Sequence, residues 1–165
     1  MAEQSLRSEI QCSEDKFWEA FFSADYNKEL FFERLKFPNY ELLEQSDDGK
    51  VLRRKVRITP PVNGVPGPVK KIIGDAFSYT EEGSFDHATK RFSFKVTPSA
   101  AGDKTSTSGE MWCETSGGKV YRCSKLKVDV KIFMVGSLVE ELILSNFKTS
   151  FDVATAFTNE FCART

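Results

Sequence analysis

Apolar side chains recur with one spacing at the two ends of the chain and another in the middle. Phe17, Ala20 and Phe21, then Leu30, Phe31 and Leu35, return every three or four residues, which is one face of an α-helix. Ser13 is a good N-cap, and Glu14 and Asp15 suit the positive end of a helix dipole. With a break near residues 23–27, the spacing predicts two short helices over 14–22 and 26–36. Pro38 ends the second, because it drives the residue before it out of helical geometry.

From Tyr40 the period becomes two. Tyr40, Leu42 and Glu44 lead to the turn Asp48-Gly49, and Val51 to Thr59 return as the second strand of a hairpin. Residues 60–68 hold too much Pro and Gly for regular structure, and residues 69–73 suit one helical turn. Strands are expected at 76–85, 90–97, 105–115 and 119–133. In the last of these Leu126, Val128, Val130 and Ile132 alternate with Lys125, Lys127, Asp129 and Lys131, so the sheet is antiparallel with one covered face. The cover is Val135 to Cys162: Leu138, Val139, Leu142, Phe147, Phe151, Ala154, Phe157 and Phe161 form a helical stripe. A helix of about 28 residues is roughly 42 Å long, enough to cross such a sheet. Gly117-Gly118 is a good two-residue primed turn, and the register it sets places Glu110 opposite Lys125 on the wet face and Cys113 opposite Arg122.

At 165 residues the chain suits one domain, residues 1–165. Fifteen phenylalanines against four tyrosines and two tryptophans call for a large interior of purely apolar rings, whether packed core or greasy cavity. The net charge of −1 hides an uneven distribution: residues 1–48 carry −7, residues 49–131 carry +8 and residues 132–165 carry −2. No nucleic-acid reading motif accompanies the basic middle, so no nucleic-acid partner is expected, and a contact with acidic lipid or an acidic partner stays open. Residues 1–7 lack the basic and apolar runs of a secretory signal, so the expected location is cytoplasmic and the four cysteines should be thiols. Without C-x-x-C and with His87 as the single histidine, no metal site is expected. No hydrolase, P-loop, dinucleotide or zinc-protease motif occurs, and no cofactor is implied.

Phe77, Tyr79, Phe92, Phe94, Met111, Leu126, Val128, Phe147 and Phe151 fall on the inward faces, as core or as the lining of a pocket. Arg54 shares its side of the strand with Leu52, Val56 and Ile58, where an unpaired charge is costly. Either a carboxylate or a bulge relieves it, or its fork meets the one polar group of an apolar ligand.

The order of a strand, two short helices, six antiparallel strands and a long last helix resembles the helix-grip fold of the START-like superfamily, an α+β architecture with a curved antiparallel sheet. The family includes lipid-transfer domains, birch-pollen-allergen-like proteins and polyketide cyclases. The stretch Val69-Lys70-Lys71-Ile72-Ile73-Gly74 and the segment Val135-Gly136-Ser137-Leu138-Val139-Glu140-Glu141 resemble START-related lipid-binding proteins. That resemblance implies a first strand ahead of the helices and a tunnel under the long helix for a hydrophobic small molecule or lipid, such as a sterol or acyl lipid. Val62, Val65, Ile72, Ile73 and Val135 would then form a gate in transient contact with a membrane. A cyclase or dehydratase using the same cavity, and a protein-interaction module of the chaperone-activator type, are the alternatives.

Overall fold

The computed structural model describes residues 1–164. The first strand, β1 (Ala2–Ile10), precedes the helices, where only the family resemblance had placed one. Ser13 caps α1 (Glu14–Phe21) by accepting a bond from the Lys16 amide, and Ser23 caps α2 (Ala24–Lys28) through the Tyr26 amide. The second helix differs from the predicted 26–36: it starts at Ser23's cap and passes into a π-helical stretch, Glu29–Arg34. There the Leu35 amide reaches back to Leu30 O at 2.8 Å.

β2 (Asn39–Asp47) and β3 (Val51–Thr59) form the first hairpin. A bulge between Leu42 and Glu44 shifts the phase of β2, so Glu44 sits opposite Lys55 and Gln45 opposite Arg54 instead of continuing the Tyr40–Leu42 face. The short α3 (Gly67–Ile73) follows, then β4 (Tyr79–Asp86), β5 (Arg91–Pro98), β6 (Thr105–Ser116), β7 (Lys119–Val130) and α4 (Gly136–Cys162). β4 starts three residues later than predicted, which leaves Phe77 in the connection before it. β7 also stops short of Phe133, because the Lys131 amide bonds to Lys104 O at 2.8 Å and the chain turns through Met134 at φ 68°. Gly136 then packs so tightly on the Val130 carbonyl that a Cβ would lie 2.5 Å from its oxygen.

The seven strands make one antiparallel sheet in the order β1-β7-β6-β5-β4-β3-β2. The β6–β7 register pairs Glu110 with Lys125 and Cys113 with Arg122, as the glycine turn requires. This order also accounts for the uneven charge. The acidic first segment supplies both edge strands, which lie against basic neighbours: Glu3 meets Lys125 and Lys127 of β7, and Glu41 meets Arg57 of β3. Within the basic segment Lys55 pairs with Glu82, and Arg91 with Glu110. Such exposed pairs contribute little stability, but they neutralise the outer face.

α4 packs along β7, β1 and α1. Its first half covers Leu126, Val128 and Val130 with Val139, Ile143, Leu144 and Phe147. Its second half packs Ala154 and Phe157 on Tyr26 and Leu30. The Tyr26 hydroxyl is buried here but satisfied: Thr158 Oγ1 donates to Ala154 O at 2.6 Å, so at 2.8 Å the tyrosine is the donor to Thr158. A third cluster, Ile10, Phe17, Trp18, Leu52, Phe85, Phe92 and Met111, fills the end of the sheet under α1.

Candidate functional site

Arg54 points inward from β3, as alternation predicts, and its side chain is 5 % exposed. The charge is paired. Nη2 lies 3.5 Å from Glu81 Oε1 on β4, and Nη1 donates to Phe21 O at 3.2 Å. Three rings close the guanidinium in, with its carbon 4.5 Å from the Phe21 centroid, 5.4 Å from Phe22 and 5.5 Å from Phe92. Register explains the reach: Arg54 stands opposite Gly83, which carries no side chain, and Glu81 is the diagonal neighbour. The two terminal nitrogens are therefore committed to a carboxylate and a carbonyl of the same chain, while Nε is buried with no partner.

Glu81 is differently placed. Protein mass around it raises its carboxyl above the usual range by desolvation, an effect that Arg54 opposes, yet 19 % of its side chain stays open. Tyr79, two residues away on the same face, is also only half-buried, and burial together with the Glu81 charge raises its phenol. On β5, Phe94 and Val96 are half-buried along the same face, and Phe94 packs, with Ile143, Leu144 and Phe147 from the first half of α4, against Leu126, Val128 and Val130. Beside the filled cluster under α1, the inner face of β4 and β5 thus carries half-buried apolar groups together with the Glu81 carboxyl and the Tyr79 phenol, and the Tyr40 phenol is also within electrostatic reach of Glu81 and Arg54. A hydrogen-bonding acid beside a phenol in an apolar surround can hold a ligand's polar end or exchange a proton with it.

A second inward arginine, Arg122 on β7, is 6 % exposed and stacks 4.2 Å from the Phe151 ring centroid. Its Nη1 donates to Phe151 O and Thr155 Oγ1, at 3.2 and 2.9 Å, while Nε has no partner. Burial lowers its pKa from the ordinary arginine value. Sequence reasoning missed both Glu81 and Arg122, though each was within reach. Stepping by two from Tyr79 reaches Glu81, and stepping back from Leu126 reaches Arg122.

None of the four cysteines is in a disulfide. Burial pushes Cys12 and Cys113 up to about 12, with the neighbouring Cys162 also raising Cys12. A thiol with a raised folded pKa stabilises the fold below the unfolded value and loses that contribution as pH rises through the folded one. Stability should therefore fall from about pH 9 upward, and the native protein at pH 8 should react with iodoacetamide at least about tenfold more slowly than a cysteine peptide. Equal rates would contradict the shifted pKa values.

Of the residues named from sequence, Phe92, Met111, Leu126, Val128 and Phe151 are buried against other side chains. Tyr79, Phe94 and Phe147 are half-buried, as is Phe77 ahead of β4. Val62, Val65, Ile72, Ile73 and Val135 are all half-buried, whereas their neighbours Phe133 and Met134 stand 90 % and 88 % exposed at the β7–α4 junction. A separate small cavity of about 80 Å³, lined by Phe22, Asn27, Tyr40 and Gln45, has room for only a few waters. Among the described residues no group of three His, Cys, Asp or Glu side chains is placed to hold a metal ion, and no helix is long and apolar enough to cross a membrane.

The family model DUF2505, described as "Protein of unknown function", matches residues 5–162. The chain belongs to that family. A search of curated proteins finds no match for this DUF2505 chain. Solved structures similar to it include TTHA0849 from Thermus thermophilus, at TM-score 0.66 and 13% identity over 99% of this chain and 98% of that one. Another is the Zhui aromatase/cyclase from Streptomyces sp. R1128, at TM-score 0.65 and 13% identity over 99% and 94%. A third is norcoclaurine synthase from Thalictrum flavum, at TM-score 0.66 and 16% identity over 97% and 86%. The DUF2505 chain shares the helix-grip fold of these structures, with a curved seven-stranded sheet and a long carboxy-terminal helix.

Proposed function

We propose that a cleft between the inner face of β4–β5 and the first half of α4 lets this protein bind a hydrophobic small molecule. The observation that carries this reading is the half-open state of Tyr79, Glu81, Phe94 and Phe147 on the inner face, beside the buried Leu52, Phe85 and Phe92. Desolvating a ligand against such rings is favourable by roughly 25 cal/mol per Å² of apolar area, before the costs of ordering. Ligand-handling proteins among the fold neighbours, an aromatase/cyclase and norcoclaurine synthase, support it. Lipid transfer is the cellular use we favour, with the exposed Phe133–Met134 tip touching the membrane during loading.

The neutral fluorophore N-phenyl-1-naphthylamine should brighten on binding and should move from neutral phosphatidylcholine vesicles to the protein. The double variant F133S/M134S should slow that movement several-fold while leaving equilibrium binding unchanged. A protein that neither brightens the probe nor draws it from vesicles would refute the reading. Cyclase-type catalysis is the second reading, favoured by one observation: Glu81 and Tyr79 converge in the cleft as the two polar groups a proton transfer needs.

A further inference from the structure

Among the described residues the two arginines that face the inner space are enclosed and bonded through their terminal nitrogens, although Nε of each has no partner. Arg54 is sealed behind Phe21, Phe22 and Phe92 and paired with Glu81. Arg122 donates to Phe151 O and Thr155 Oγ1 under α4. The remaining lysines and arginines of the strands alternate onto the outer face, where Lys55, Arg57, Arg91, Lys125 and Lys127 meet carboxylates. What the cleft offers a ligand is the opposite kind of group. Glu81 meets Arg54 through one oxygen, 19 % of its side chain stays open, and Tyr79 stands two residues away on the same face. Val56 and Val96, its neighbours across the strands, supply no competing donor.

We propose that Glu81 selects the ligand, and that the ligand is an apolar molecule whose polar end is a hydrogen-bond donor, an amine or a hydroxyl, and not a carboxylate or phosphate. This rests on the binding reading above and reverses the expectation drawn from Arg54 alone, which pointed to an acidic ligand. The physics is asymmetric. A donor completes the free acceptor positions of Glu81, and a cationic one adds charge assistance. An anion brought to the same place meets a carboxylate in a low-dielectric surround, with the compensating guanidinium held behind three rings.

The test uses the intact protein and four compounds with the same chain: decylamine, 1-decanol, methyl decanoate and decanoate, each displacing N-phenyl-1-naphthylamine at neutral pH. Decylamine and 1-decanol should bind about ten- to a hundredfold more tightly than decanoate, with the ester between, the size expected of a hydrogen bond to a charged group. Glu81→Gln should reduce the amine-over-decanoate ratio about tenfold or more. Glu81→Asp keeps the charge and should retain the order, which guards against a fold-dependent loss in the amide variant. Decanoate binding as well as or better than the amine would overturn the proposal while leaving the binding reading intact. Failure of the fluorophore and all four compounds to bind would remove both.

Discussion

Arg54→Ala should destabilise the fold by about 3 kcal/mol, because it strips the partner from an enclosed carboxylate and removes the group that three rings pack around. In urea that corresponds to a midpoint lower by about 1–2 M. The pH dependence identifies the cause. Glu81 already has a raised folded pKa, and losing Arg54 removes the charge that restrains it, so the variant should hold Glu81 higher still. A carboxyl whose folded pKa is raised contributes stability while protonated and loses it as pH rises through the folded value. The deficit of Arg54→Ala should therefore be smaller near pH 5 than near pH 8. In Glu81→Gln the same arginine substitution should cost less, and its pH dependence should vanish. A deficit equal at both pH values would mean that Arg54 acts through ring packing alone.

Arg54 also shows what period two reveals and what it omits. Alternation placed the side chain inward without any structure, and the hairpin glycines set the β6–β7 register to the residue. Neither could name the partner, since Glu81 is brought to Arg54 by the pairing of β3 with β4 across residues 60–78, whose one regular element is the short α3. The β2 bulge was hidden for a related reason: one extra residue changes the phase without changing composition. The phenylalanine excess was legible as a large apolar interior. Its division into buried clusters and half-open rings was not, because that depends on where α4 crosses the sheet. α4 follows β7 and β1, so rings at one end of the inner face meet one another while Phe94 and Phe147 keep free surface.

Two strand glycines show how closely that sheet is fitted to its rings, and they should respond differently to substitution. At Gly83 an added Cβ would fall 2.1 Å from Phe92 Cζ and 2.4 Å from Cε2, while Phe92 is fully enclosed by Phe21, Phe22 and Phe94. Gly83→Ala should cost about 2 kcal/mol, as overpacking of a filled core does. Phe92→Leu lacks the ring atoms that the new carbon would strike, so in that background the cost of Gly83→Ala should fall by at least about half, a positive coupling in the double-mutant cycle. At Gly109 the new Cβ would meet Phe94 Cζ at 2.4 Å and also the Lys125 carbonyl oxygen at 2.6 Å. Phe94 is half-open and its ring has room to move, but the carbonyl belongs to a strand bonded on both sides, to β1 and β6. Gly109→Ala should therefore cost a similar amount, and Phe94→Leu should leave that cost in place. Thermal or urea melts of the two cycles decide the point. Rescue at Gly109 by Phe94→Leu would show that the ring is the obstacle there and that the β6–β7 backbone yields.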